Sequence, residues 1–430
     1  MESTHRENQG GSVSRRQMMK GAAAVSAAAL VSQLAVPSAV HAASSDKIRI
    51  GLIGCGRRAR GAAADCLNSA TSIELVSMGD VFKDQLDAAF GELKNQGEKF
   101  KVTPDRCFVG FDAYQKVIDS GVDVVLLVTP PGFRPLHLKA AVEAGKHVFM
   151  EKPVAVDPVG VRSIIATSEI AAKKGLCIVA GTQRRHENQY MAVMQRIHDG
   201  QIGQITAAEA YWMGDYGYYM PVFKKPEWSD MEWQLRNWNY FAWLSGDHIV
   251  EQHVHNLDVI RWAFGVNPVK CLANGSRQVR TGPEFGHIYD NFNVSYEFPN
   301  GAVCLSMSRQ MAGTANRVSE KIHGTKGQAG AGWIGGQNSW RYEGANVNPY
   351  VQEHTHLMAA IRDGKPLNEG KQVAESTMMA IMGRMSAYTG REISWSWAMN
   401  ASKLDLTPAK YEYGPLPVPP VAVPGQTQLI

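Results

Sequence analysis

Lys47-Ile48-Arg49-Ile50-Gly51-Leu52-Ile53-Gly54-Cys55-Gly56-Arg57-Arg58-Ala59 begins as a short apolar strand and turns on two glycines. It then enters an Ala-rich run predicted as helix from about residue 60 to 68. The turn reads G-x-G-x-x-A between strand and helix. Its first glycine permits a tight turn, its second lets a pyrophosphate approach the backbone, and the small Ala59 lets helix pack on strand. N–H groups at the helix start would face the phosphates, and Arg57 and Arg58 could add charge-assisted bonds. A second strand, residues 73–79, ends in Asp80, 24 residues beyond Gly56. A carboxylate about 20 residues on accepts from an adenosine 2′-OH and repels a 2′-phosphate. The pattern therefore predicts a dinucleotide site that prefers NAD, with NADP left open by Arg57 and Arg58.

The alternation continues. A β-branched strand at 123–128 ends at Thr129-Pro130-Pro131, and a strand at 147–150 runs into Glu151-Lys152-Pro153. A third, at 176–180, is followed by Gln183-Arg184-Arg185, and helices are expected at 134–143 and 158–174. Strand–helix alternation predicts a parallel sheet of Rossmann type over residues 43–180, with ligands beyond the carboxyl ends of its strands. Thr129, Pro130, Glu151, Lys152, Gln183 and Arg184 then face one crevice. Residues 181–400 change character, with short alternating strands at 269–278, 287–298 and 302–309 and helices near 352–362 and 374–388. They read as a second α/β domain built on a sheet, to which late helices from the Rossmann side return. The Pro-rich residues 401–430 read as an extended strap.

Ahead of these domains, Ser14-Arg15-Arg16-Gln17-Met18-Met19-Lys20 places twin arginines before a weakly apolar, Ala-rich run at 21–40. Small residues at Val40 and Ala42 predict cleavage after Ala42. Residues 1–42 are thus read as a twin-arginine signal, and the mature chain as periplasmic or otherwise exported. Ser26, Ser32 and Gln33 interrupt the run, which matches poorly the roughly 20 apolar residues of a membrane span. Without the signal, 40 basic residues face 38 acidic ones, net +2. That balance offers no broad footprint for nucleic acid or an anionic membrane. Six cysteines without a C-x-x-C pair suggest neither a disulfide framework nor a zinc cluster. A protein exported folded must carry its cofactor with it, so tightly bound NAD is expected.

Gly51-x-x-Gly54-x-Gly56, Ala144-Gly145-Lys146-His147-Val148, Glu151-Lys152-Pro153 and Ile361-Arg362-Asp363-Gly364-Lys365-Pro366-Leu367 together resemble the Gfo/Idh/MocA oxidoreductase family. The resemblance covers residues 47–395. It implies an NAD(P)-dependent enzyme acting on a hydroxyl of a sugar, polyol or related carbohydrate. It further implies that the second domain carries an open, mostly antiparallel sheet, which in relatives often mediates dimers or tetramers. Lys152 would reach both the nicotinamide and the reacting hydroxyl, and an ammonium there polarises the oxygen. In the family, the Lys–Pro bond can be cis.

A second cluster is Gly246-Asp247-His248-Ile249-Val250-Glu251-Gln252-His253-Val254-His255-Asn256-Leu257-Asp258. Many members of the family carry D-x-x-x-H here, where this chain has Glu251-x-x-x-His255. On one helix these would share a face. His255, with an ordinary pKa near 6.5, is the expected general base or acid. Glu251 would orient it or bind a substrate hydroxyl, and His253 is expected among the substrate contacts. The three histidines lack H-E-x-x-H, and His253 and His255 are two apart, so no metal is expected. Residues 211–243 hold 12 of the chain's 37 aromatics, divided in expectation between sugar faces and core. Three functions fit. The first is a dehydrogenase, and the second an NAD-dependent glycoside hydrolase that oxidises a ring hydroxyl, eliminates and re-reduces. The third is a non-catalytic Rossmann-type ligand binder.

Overall fold

The computed structural model describes residues 47–214 and 220–430. The expected signal and its cleavage site lie outside the described residues, as do positions 215–219 of the aromatic stretch. The first half alternates β1 (Ile48–Ile53), α1 (Arg57–Ser69), β2 (Ile73–Asp80), α2 (Lys83–Leu93), β3 (Cys107–Val109) and α3 (Ala113–Asp119). It continues with β4 (Val124–Leu127), α4 (Arg134–Glu143), β5 (His147–Met150), α5 (Pro158–Lys173) and β6 (Ile178–Ala180). The strands lie in the order β3-β2-β1-β4-β5-β6, and every pair is parallel. β4 and β5 are buried along their whole length, which is why they read as continuous apolar runs. The chain order reverses on the two sides of β1, and a crevice opens there at the carboxyl ends. Asp157 caps α5, its side chain accepting from the Gly160 N–H at 2.7 Å, with Pro158 at the first helical position.

The second half runs through α6 (Asn188–His198), β7 (Ile205–Gly214), α7 (Asp230–Arg236), α8 (Ala242–Ser245), α9 (His248–Glu251) and α10 (Val254–Phe264). Seven strands follow: β8 (Lys270–Ser276), β9 (Asn291–Glu297), β10 (Val303–Gln310), β11 (Arg317–Gly324), β12 (Gly327–Gly330), β13 (Trp333–Gly336) and β14 (Trp340–Arg341). The chain closes with α11 (Pro349–Arg362), α12 (Gly370–Thr389), β15 (Ile393–Ser394) and α13 (Trp395–Asn400). Among the described residues, nine strands form one sheet in the order β14-β13-β12-β11-β7-β10-β9-β8-β15. Only β7 and β10 are parallel, and the other neighbours are antiparallel. In β9, Phe292, Val294 and Tyr296 point into the core while Asn293 and Ser295 point to solvent, as expected of a sheet covered on one face. The strand expected from 287 begins only at Asn291. Asp290 collects the N–H groups of Gln278, Val279 and Arg280 at 2.7 to 3.0 Å and so fixes a loop instead.

α12 is buried almost throughout and packs against α5, α10, β6, β8 and β9, with its buried Ser376, Thr377, Ser386 and Thr389 hydroxyls hydrogen bonded. The Tyr296 hydroxyl donates to the Met379 carbonyl at 3.0 Å. A side chain at Gly383 would collide with that hydroxyl. α11 returns to pack on α1. Asn368 bridges Ile178 in parallel, and Glu369 accepts from the Ala180 N–H at 2.8 Å, so the chain after the second sheet rejoins the first. The tail is hydrogen bonded along its course: the Leu406 N–H donates to Asp157 at 2.8 Å, and the Ala422 carbonyl accepts from Tyr289 at 2.8 Å.

Candidate active site

A cleft of about 810 Å³ lies beyond the carboxyl ends of the first sheet's strands. Gly54 has φ +91°, and a Cβ there would sit 2.8 Å from the Val128 backbone, so no other residue fits this turn without strain. A Cβ on Gly56, by contrast, would meet nothing within 4 Å, which leaves room over the turn for a diphosphate. α1 has neither a capping side chain nor an acidic residue in its first turn. Its leading N–H groups therefore lack intrahelical acceptors and suit an anion. These features fit a dinucleotide. Asp80 lines the cleft and locks the turn, accepting from the N–H groups of Cys55 at 2.6 Å and Phe82 at 2.8 Å. Burial raises its pKa, and each oxygen keeps a lone pair for a hydroxyl.

Arg57, Thr129 and Pro130 also line the cleft. Arg58, expected on a phosphate, lines the cleft as well but is ion-paired within the protein. Its guanidinium meets Glu151 at 2.5 Å, Asp65 at 3.4 Å and Glu353 at 3.6 Å and lies over the Tyr350 ring. Glu151 and Asp65 thus pair with a charge expected on the cofactor, while burial raises the pKa of Glu353 well above the ordinary value, and Glu151 itself also lines the cleft. Sequence reasoning missed Arg134. Wholly buried, it donates to the carbonyls of Leu127 at 2.6 Å, Thr129 at 2.7 Å and Glu151 at 3.0 Å. It thereby ties together the ends of β4 and β5. Burial lowers its pKa to about 10, Glu151 opposing. No local signal marks it, since its partners are backbone carbonyls of separate strands.

The Lys152–Pro153 bond is cis. Lys152 Nζ donates to the Glu251 carbonyl at 2.6 Å and to Glu251 Oε1 at 3.1 Å. Glu251 Oε2 is buried without a partner. The single helix expected to carry Glu251 and His255 is broken at Gln252–His253 into α9 and α10. Both side chains line the cleft, but the carboxylate pairs with Lys152. His255 stacks on Trp212 with centroids 5.9 Å apart. Burial, then the charges of Lys152, Arg184 and Arg58, hold its pKa well below the ordinary value, so the imidazole is neutral. His253, expected on substrate, is fully buried and bonds Ser306 Oγ on β10 at 2.7 Å, away from the cleft.

Gln183 and Arg184 line the cleft. Gln183 donates to the Tyr350 hydroxyl at 3.3 Å and has a buried, unpartnered Oε1. Arg184 pairs with Glu320, which also accepts from the Tyr190 hydroxyl at 3.1 Å and from Asn256. The aromatic stretch divides: Trp212, Trp228 and Trp238 line the cleft, while Trp233 and Trp243 are buried in an apolar cluster with Phe82 and Phe133. Among the described residues, no three His, Cys, Asp or Glu side chains are grouped to hold a metal ion.

Residues 48–182 match the oxidoreductase family with an NAD-binding Rossmann fold, and residues 190–330 match the GFO/IDH/MocA C-terminal domain. The chain belongs to the Gfo/Idh/MocA family. As a Gfo/Idh/MocA protein it is an NAD(P)-dependent oxidoreductase. Residues 12–32 match the twin-arginine translocation signal, so it is exported by that route. It is 23% identical over 338 residues to the scyllo-inositol 2-dehydrogenase (NAD(+)) of Bacillus subtilis, covering 74% of this chain and 87% of that one. It is 27% identical over 230 residues to the 2,7-anhydro-N-acetylneuraminate hydratase of Escherichia coli, covering 50% and 55%. Its fold is also that of the scyllo-inositol dehydrogenase from Lactobacillus casei with bound NAD(H) and scyllo-inositol. The TM-score is 0.62 and the identity 19%, over 81% of this chain and 99% of that one.

Proposed function

We propose that this protein interconverts a hydroxyl and a carbonyl on a sugar or polyol, with Lys152, Glu251 and His255 as its catalytic residues. The observation that carries the reading is the convergence of the Lys152–Glu251 pair and a neutral His255 in the cleft that holds the glycine turn. Two of the three ammonium donors of Lys152 go to Glu251, leaving one for a substrate oxygen. Glu251 thus fixes where that donor points. His255, held neutral, takes the hydroxyl proton as the carbonyl forms. Trp212 offers a flat face for a ring beside it. NAD, when bound, supplies the hydride acceptor.

NAD is preferred over NADP, because Asp80 faces the adenosine end and would repel a 2′-phosphate. Export away from the cytoplasmic supply favours a cofactor that stays bound. It also favours a second reading, in which transient oxidation of a ring hydroxyl permits elimination of a glycosidic oxygen, water adds and the hydride returns. The similarity to a hydratase points the same way. Release of an aglycone without a second redox substrate would select that reading. The primary test is Lys152→Met, assayed on inositols and aldoses. Turnover should fall by about 10²- to 10⁴-fold while nucleotide binding persists, and unchanged turnover would sink the assignment.

A further inference from the structure

At Asp80 the cleft is not closed by the Rossmann sheet alone. Trp228, Leu235, Arg236 and Trp238 line it from a segment that follows β7, facing Phe82 and Phe111, which follow β2 and β3. The Arg236 guanidinium lies 3.9 Å from the Phe82 ring centroid and 5.1 Å from that of Trp228. It is also bound to Asp84 and Glu232, each at 3.0 Å, so its charge is matched within the protein. Behind the two phenylalanines stands Tyr413 of the tail, with ring centroids 6.4 Å from Phe82 and 5.2 Å from Phe111. Its hydroxyl donates to the Val81 carbonyl at 3.3 Å.

The tail is fastened to the same segment. The Met231 N–H donates to the Gly414 carbonyl at 3.2 Å, Gln234 donates to the Leu416 carbonyl at 2.6 Å, and the Leu416 N–H donates to Asp230 at 3.1 Å. One apolar cluster joins all three parts: Phe82 and Phe133 from the first domain, Met231 and Trp233 from the segment, and Tyr411 and Leu416 from the tail. A wall built this way cannot swing open without breaking packing and hydrogen bonds together.

We propose that Trp228, Leu235, Arg236 and Trp238, braced by the C-terminal tail, complete the adenosine half of the dinucleotide site and make NAD a retained group rather than a dissociating cosubstrate. The inference rests on the dinucleotide reading above. Aromatic and guanidinium faces offer an adenine flat contact. A cover that must unpack before the ligand leaves acts chiefly on the dissociation rate. Because Asp84 and Glu232 already satisfy Arg236, it adds no free cation for a 2′-phosphate, in keeping with the preference for NAD.

The test loads the folded full-length protein with NAD, dilutes it into an excess of isotopically labelled NAD and follows exchange by mass spectrometry. The intact protein should hold its original nucleotide through gel filtration. Trp228→Ala, Tyr413→Ala and a chain lacking residues 408–430 should each exchange at least about tenfold faster. The two point variants guard against a truncated chain that does not fold. Exchange equally fast in intact protein and folded variants would overturn the enclosure while leaving the dinucleotide site standing. An intact protein that binds no nucleotide would overturn both.

Discussion

Lys152 keeps its ammonium between the carbonyl and carboxylate of Glu251, while burial and neighbouring cations hold His255 neutral. A base with a depressed pKa is active when neutral and is lost only as pH falls through that lowered value. The acid limb of kcat/KM should therefore lie well below pH ~6.5, the ordinary imidazole value, with a flat profile through neutrality. His255→Asn should abolish that limb and lower kcat by about 10²- to 10⁴-fold. An acid limb at or above the ordinary value would remove His255 as the base. That Gly54, Gly56 and Lys152 line the cleft was legible in sequence because each follows a strand of the parallel sheet, whereas His255 was expected there only through the resemblance of Glu251-x-x-x-His255 to D-x-x-x-H. The partners of Arg58 and the very existence of the Arg134 tie were not legible. Arg58 meets Asp65 two turns along its own helix, but also Glu151 and Glu353, and no spacing rule brings those last two onto one guanidinium.

At the scale of elements, the start of α9 is held by its N-cap Asp247, whose φ of +74° is unusual for a residue with a side chain. Fully buried, it accepts from the N–H groups of His248 at 2.5 Å and Tyr289 at 2.8 Å and from the Tyr388 hydroxyl at 2.6 Å. These bonds set the segment that presents Glu251 to Lys152. Asp247→Ala should destabilise the fold by about 3 kcal/mol through unsatisfied buried donors, read as a lower urea midpoint. Asp247→Gly relieves the backbone but restores no acceptor, so it should remain destabilising, and a Gly variant as stable as the parent would show that strain alone mattered. Period-two and period-3.6 patterns placed β8 to β10, α11 and α12 close to where they lie. β11 to β14 were not legible. Gly327-Gln328-Ala329-Gly330 carries no alternation, and those strands form because β11 pairs on β7 and each later strand pairs on the one before it.

For the molecule as a whole, the second sheet leaves one face outside. Leu272, Ser295 and Leu305 form a row across β8, β9 and β10, with the two leucines 53% and 56% exposed. Two exposed leucines on an open sheet face support self-association. The protein is expected to sediment as a dimer or tetramer, and Leu305→Asp to shift it toward the monomer. A parent chain that sediments as a monomer would dismiss this face. The dinucleotide turn, the parallel sheet and the export signal were determined by sequence alone, because each depends on contiguous residues whose backbone or charge requirements are local. Only the tertiary structure decided that Glu251 serves Lys152 rather than His255, and that His253 turns into the sheet. It likewise decided that Trp228 and Tyr413 gather around Phe82 and Arg236. Those outcomes depend on which segments compete for one buried space, and packing among residues about fifty to three hundred positions apart resolves that competition.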